Sequence, residues 1–209
     1  MSDDALPTQI LSGWERPRVF SFWSFWIAVA FFGVYPTMNW VTSLRTIRLH
    51  LYVPYELAIP FVPQFIWAYL SMYVLFFLPL VFVPTTRMPA LGRQLVAGAL
   101  ISAAMFLLLP AELGFVRTVP ASAPYAALYA GIFGIDRPYN LVPSLHVIYS
   151  TAIGLACADF ARPIPRVALL LWLGVIVAAT VLVHQHHLLD VAAALAIVFF
   201  LRRRYEVLP

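Results

Sequence analysis

The chain has 209 residues, of which 63% are hydrophobic and only 11% charged, with a mean hydropathy of +0.88. Soluble domains carry about 25% charged residues, so this composition excludes a soluble globular class and reads as an integral membrane protein. All 13 basic residues are arginine, for a formal net charge of +4, and the absence of a basic run interleaved with aromatics argues against a nucleic-acid partner.

Residues 1–18 are polar, with Pro7 and Pro17, and are expected to form a cytoplasmic N-terminal segment. The apolar run behind them is too long and aromatic for a cleaved signal peptide, so it reads as a retained first membrane helix. Crossing the hydrocarbon layer takes about 20 predominantly apolar residues. Windows of that kind are expected near residues 19–40, 62–83, 94–110, 143–160, 166–183 and 187–201. Between the first two, residues 41–61 mix Arg45, Arg48, His50, Tyr52, Tyr55 and Glu56 with aliphatics, which suits a segment lying flat at the membrane interface. Residues 124–135 are apolar but too short to span, and predict a short interfacial or re-entrant helix between spans three and four. The lone cysteine, Cys157, lies in an apolar run. It excludes an intramolecular disulfide and a cysteine-based metal site and reads as a small packing residue.

Six spans place the N-terminus, the loops near 85–93 and 161–166 and the C-terminus on one side, together with Arg16, Arg18, Arg87, Arg93, Arg162, Arg166, Arg202, Arg203 and Arg204. Arg45, Arg48, Arg117 and Arg137 fall on the other. The excess of arginine predicts that both termini are cytoplasmic. The histidine-bearing ends of spans four and six then share the extracytoplasmic face.

Ionisable side chains at the mouth of an apolar span are functional-site hypotheses. His186 and Asp190 stand at i and i+4, on one face of a helix, so the carboxylate can fix the imidazole tautomer and stabilise positive charge on it. His146 opens another span on the same side, which permits a nucleophile and a general acid about one reacting atom. That atom is expected to be anionic, because Ser144, Leu145 and His146 sit at a helix N-terminus, where free N–H groups and the dipole favour phosphate. Arg117 and Arg137 can clamp phosphate oxygens or, at a membrane surface, merely anchor headgroups. The His184-Gln-His186-His187 run invites a metal reading, but 184 and 187 are i and i+3 while 186 faces elsewhere, and a further ligand is not supplied nearby. His184 is better read as a hydrogen-bond partner of phosphate or substrate. Glu112 can pair with Arg117 or move a proton, and both alternatives stand.

Pro143-Ser-Leu-His146 and the His186 to Asp190 spacing resemble motifs of the type 2 phosphatidic acid phosphatase superfamily, whose pattern runs Lys, six residues, Arg-Pro; Pro-Ser-Gly-His; Ser-Arg, five residues, His, three residues, Asp. The match covers roughly residues 110–191. The resemblance implies a six-helix membrane bundle in which His186 takes the phosphoryl group, Asp190 orients it and His146 protonates the leaving oxygen. The chain departs from the pattern at Leu145 for Gly, at Ala179-Thr180 for Ser-Arg, and at Pro110 and Thr118 around Arg117. Pro-Ser-Leu-His with Thr180 six residues before His186 is similar to the branch that contains inositol phosphorylceramide synthases, some of which pass the phosphoryl headgroup to an alcohol.

The expectation is therefore an all-α, polytopic membrane protein of one domain over residues 1–209, in the inner membrane of a bacterium. It is expected to be a metal-independent lipid-phosphate phosphatase without cofactor, acting on a membrane lipid phosphate through a phosphohistidine. The catalytic set is His146, His186 and Asp190; the substrate-binding set is Arg117, Ser144, Leu145, Arg137, His184 and Thr180. The alternatives are a phosphotransferase acting between lipids and a non-catalytic lipid-binding protein, which the missing Ser-Arg arginine favours.

Overall fold

A computed structural model describes residues 14–206; the first thirteen residues of the expected cytoplasmic segment 1–18 lie outside them. Among the described residues the chain is helical, with one isolated bridge pairing Leu49 and Ala111. Its helices are α1 (Glu15–Ser43), α2 (Ile66–Leu70), α3 (Met72–Leu75), α4 (Pro79–Phe82), α5 (Met88–Leu108), α6 (Tyr125–Ile135), α7 (Leu145–Phe160), α8 (Pro163–Leu182) and α9 (Leu188–Arg204). Of these, α1, α5 and α8 are long and apolar enough to cross a membrane.

Local chemistry sets the boundaries. Pro89 and Pro163 occupy first-turn positions of α5 and α8, where the missing N–H costs nothing. Ser144 caps α7, its Oγ accepting from Val147 N at 3.2 Å. Arg202, Arg203 and Arg204 fill the last turn of α9, where cations complement the dipole.

The expected second span is not one helix. A 3₁₀ turn, Pro63–Phe65, leads into the short pieces α2, α3 and α4, because backbone bonds alternate between i−4 and i−3 acceptors, as at Ser71 N to Trp67 O and Val74 N to Ser71 O. Ser71 Oγ donates to Ala68 O at 2.6 Å and accepts Trp172 Nε1 at 2.8 Å, and Pro79 removes a further donor. The short helix α6 stands where 124–135 predicted one.

Helix α7 is the centre of the bundle: thirteen of its sixteen residues are buried, packed against α5, α8 and α9. Gly98 lets α5 approach it, since a Cβ there would stand 2.8 Å from Ile148. At the opposite extreme, α1 turns Phe22, Phe25, Trp26 and Phe32 outward, and α9 turns out Phe199 and Phe200. Such an exposed apolar surface suits a lipid surround.

The bundle has two chemically different ends. At one, Arg16 donates to the carbonyls of Leu80, Pro79 and Val83, Arg202 pairs with Asp159, and Arg87 reaches Glu206 O. At the other lie the C-terminal ends of α1 and α8 and the starts of α7 and α9, joined by Ser144 N to Asp190 O at 3.2 Å.

Candidate active site

The loop from Val183 to His187 carries three histidines and is tied at its root. Thr180 O, at the C-terminal end of α8, accepts Gln185 N at 3.1 Å and His186 N at 3.0 Å, while His184 takes a left-handed φ of 55° to turn the chain. Helix C-terminal carbonyls lack partners in their own helix, so the loop satisfies them by folding back.

His186 Nδ1 lies 3.1 Å from Asp190 Oδ2, and Asp190 is 1% exposed. The same oxygen accepts His187 N at 2.9 Å, so its position is fixed by two donors. A carboxylate accepts only, hence Nδ1 carries the proton and the Nε2 lone pair points away from Asp190. His146 Nε2 lies 2.9 Å from Tyr69 O, and the two rings stack at 3.9 Å. A carbonyl also only accepts, so Nε2–H donates there and Nδ1 is the nitrogen with an open site. Both histidines are 8% exposed. The helix starts that carry them are tied by the bond from Ser144 N to Asp190 O.

The acceptor for His146 comes from the broken second span. Tyr69 is the penultimate residue of α2, where carbonyls are left over for other donors. Thus the interruption around Ser71 orients a catalytic candidate.

The remaining expected substrate contacts divide. Ser144 Oγ is used as the α7 cap, Leu145 is 2% exposed, and Thr180 Oγ1 donates within its own helix to Val177 O. His184 Nε2 lies 2.9 Å from Ile59 O, with its ring under Phe115 at 4.0 Å. Burial lowers its pKa below the ordinary histidine value, opposed by the bond to that carbonyl. Arg117 is bonded to Asp136 O and lies 4.0 Å from the Asp136 carboxylate, with its guanidinium over Phe133. Burial lowers its pKa and Asp136 opposes the shift. Arg137 is exposed and donates to Ser43 Oγ at 2.9 Å, at the end of α1, a position compatible with the headgroup-anchor reading. Glu112 pairs with His50 at 2.7 Å, whereas Arg117 has Asp136 as its ion-pair partner.

The segment 41–61 is mostly exposed but sends one carboxylate inward. Leu49 N and Leu49 O bond to Pro110 O and Glu112 N at 2.9 and 3.1 Å, and a 3₁₀ turn, Pro54–Ala58, sends Glu56 inward to 4% exposure. There its Oε2 meets His187 Nδ1 at 3.1 Å and Leu188 N at 2.8 Å, and its Oε1 accepts Val53 N at 3.1 Å. His187 Nε2 accepts Gly114 N at 3.0 Å. Both ring nitrogens of His187 are therefore taken by hydrogen bonds in this structure. Gly114 is required because a Cβ would meet the Tyr52 ring at 2.5 Å. The rings of Tyr52, His187, Phe115 and His184 form a continuous stack, with centroids 4.6, 4.5 and 4.0 Å apart in that order. Sequence reasoning did not assign Glu56 to the site; a carboxylate among aliphatics was the one signal present.

On the other flank, α1 presents Tyr35, Asn39 and Thr42 to the segment leading into α7. Tyr35 OH donates to Asp136 at 2.5 Å, Asn39 Nδ2 to Asp136 at 3.3 Å and Thr42 Oγ1 to Asn140 at 3.2 Å. Gln185, between two histidines, is 3% exposed with neither amide atom bonded among the described residues. Compared with known proteins, the chain matches no family model, no curated protein and no solved structure.

Proposed function

We propose that this chain is a six-span membrane enzyme of the type 2 phosphatidic acid phosphatase kind that hydrolyses a lipid phosphate through a phosphohistidine at the extracytoplasmic face of a bacterial inner membrane. The observation that carries this reading is the pairing of a carboxylate-held imidazole, His186, with a second, carbonyl-held imidazole, His146, at one end of the bundle. The arginines bonded at the opposite end support cytoplasmic termini.

In this mechanism His186 Nε2 attacks phosphorus and the bond to the lipid oxygen breaks, while imidazolium His146 gives its Nδ1 proton to that oxygen. Asp190 holds the Nδ1 proton of His186 throughout and offsets the positive charge of the phosphorylated ring. Water then attacks phosphorus, giving its proton to His146 Nδ1, and phosphate departs from His186. Arg117 stands as the phosphate clamp once its guanidinium turns from the Asp136 carbonyl to the substrate.

Purified protein in phospholipid nanodiscs, given phosphatidic acid and undecaprenyl diphosphate, tests the reading. Release of inorganic phosphate in excess chelator is expected, and loss restored by a divalent metal would remove the histidine mechanism. A reporter active only in the periplasm, fused after Pro209, should be silent; a signal would invert the orientation. Transfer to a lipid alcohol is the second reading, favoured by the burial of both histidines, which restricts water. In that case a phosphorylated lipid product accumulates in place of free phosphate.

A further inference from the structure

We propose that Glu56 is a positioning residue for the His186 nucleophile and acts on it through His187. The inference rests on the phosphohistidine reading of the same site. Glu56 stands 131 residues before His187, yet it holds the residue next to the nucleophile by its ring and the following one by its backbone.

The coupling runs through a single oxygen. Asp190 Oδ2 accepts both His186 Nδ1–H and the backbone N–H of His187, so a shift of residue 187 moves the carboxylate that orients the attacking ring. The His187 ring is gripped at both edges: Nδ1–H donates to Glu56 and Nε2 accepts from Gly114. This fixes one neutral tautomer. It also excludes a proton relay, because Nε2 faces a donor and has no route onward.

The three donors that converge on Glu56 specify a carboxylate. Glutamine has one acceptor oxygen. If that oxygen faces His187 and Leu188, its NH₂ meets Val53 N–H; if it faces Val53, the NH₂ meets Leu188 N–H and His187 Nδ1–H. His187 cannot answer by changing tautomer, since its other nitrogen would then oppose Gly114 N–H. A pair of donors forced together moves apart, and the loop between α8 and α9 moves with them.

The test compares the native protein with E56Q and H187F in nanodiscs. It measures turnover of dioleoyl phosphatidic acid and p-nitrophenyl phosphate, together with the ¹⁵N-histidine resonances of His186 recorded without substrate. Displacements near 1 Å cost up to about 10²-fold in rate, so kcat should fall roughly 10- to 100-fold in both variants. KM should stay within about twofold, the signature of a lost transition-state contribution. The His186 Nδ1–H resonance should move in both. A residue that only supports folding would lower the yield of active protein and leave that resonance in place. Native kcat with an unshifted His186 resonance in either variant overturns the proposal. Should E56Q fail to fold, H187F decides alone, because phenylalanine can keep the ring stack while deleting the bond to Glu56. If the native protein hydrolyses neither probe, the enzymatic reading falls, and the resonance by itself decides whether Glu56 positions His186.

Discussion

The starts of α7 and α9 present the same side chain in two environments. His186 donates to a buried carboxylate and His146 to a main-chain carbonyl. A hydrogen bond to a charged partner is worth about 1.5–3 kcal/mol against about 0.5–1.5 kcal/mol for a neutral one. The former stabilises positive charge left on the ring more strongly. The ring beside Asp190 is therefore suited to carry a phosphoryl group, and the ring beside Tyr69 O to be oriented yet give its proton away. In the proposed mechanism, neighbours and not the imidazoles themselves separate nucleophile from acid.

Substitutions can break this contrast, beginning with the largest effect. His186→Ala removes the atom proposed to form the covalent intermediate, so turnover of alkyl and aryl phosphates alike should vanish, and ³²P-labelled substrate should leave no label on the protein. Next, Asp190→Asn leaves the imidazole but presents it with an amide. Its kcat should drop by roughly 10²- to 10⁴-fold, in the range seen when a triad carboxylate is neutralised. An effect no larger than tenfold would remove the charge argument.

His146→Ala is the sharper probe of the contrast. General acid help is worth roughly 10²- to 10⁴-fold for a poor leaving group, and p-nitrophenolate leaves with little need of a proton. Lipid phosphate turnover should thus fall far more than that of the aryl ester. Equal loss on both substrates, with His186→Ala retaining aryl turnover, would exchange the two roles.

Smaller effects concern the scaffold. Ser144→Ala deletes the cap of α7 and should cost about 0.5–2 kcal/mol in unfolding measurements, without changing the substrate ratio of the previous experiment. For pH, His184 has a lowered pKa in the fold. The folded chain then binds that proton less readily than the unfolded one. Its contribution is full above the ordinary histidine pKa of about 6.5 and is lost progressively as pH falls from there through the folded value. Melting in nanodiscs should be lower at acidic pH than at neutral, and His184→Gln should flatten the difference.

What was legible in the sequence was local. Apolar windows located α1, α5, α7, α8 and α9, the short run at 124–135 gave α6, and the i, i+4 spacing paired His186 with Asp190, although His186 stands in the loop before α9 and not on a helix face. Where distant segments compete for the same backbone, the sequence was silent. An apolar stretch from 62 to 83 reads as one helix, and only Trp172, 101 residues away, bonded to Ser71 Oγ, marks the break that frees Tyr69 O. Arg137 and Glu112 were read by type, but their partners are Ser43, the last residue of α1, and His50, in the connection that follows it. Glu56 is the clearest instance: hydropathy puts a carboxylate at the interface, and just three donors from distant and near chain bring it inside.

The ring stack of Tyr52, His187, Phe115 and His184 joins three separate connections: that between α1 and α2, that between α5 and α6, and that between α8 and α9. Connections in a bundle ordinarily open one at a time, as small local units of low stability. Here each supplies a face to the next, so none can open without stripping its neighbour. The three loops are expected to open as one cooperative unit, with amide hydrogens that exchange with solvent together, at a common rate. An insertion in any one of these loops should therefore be felt in all three.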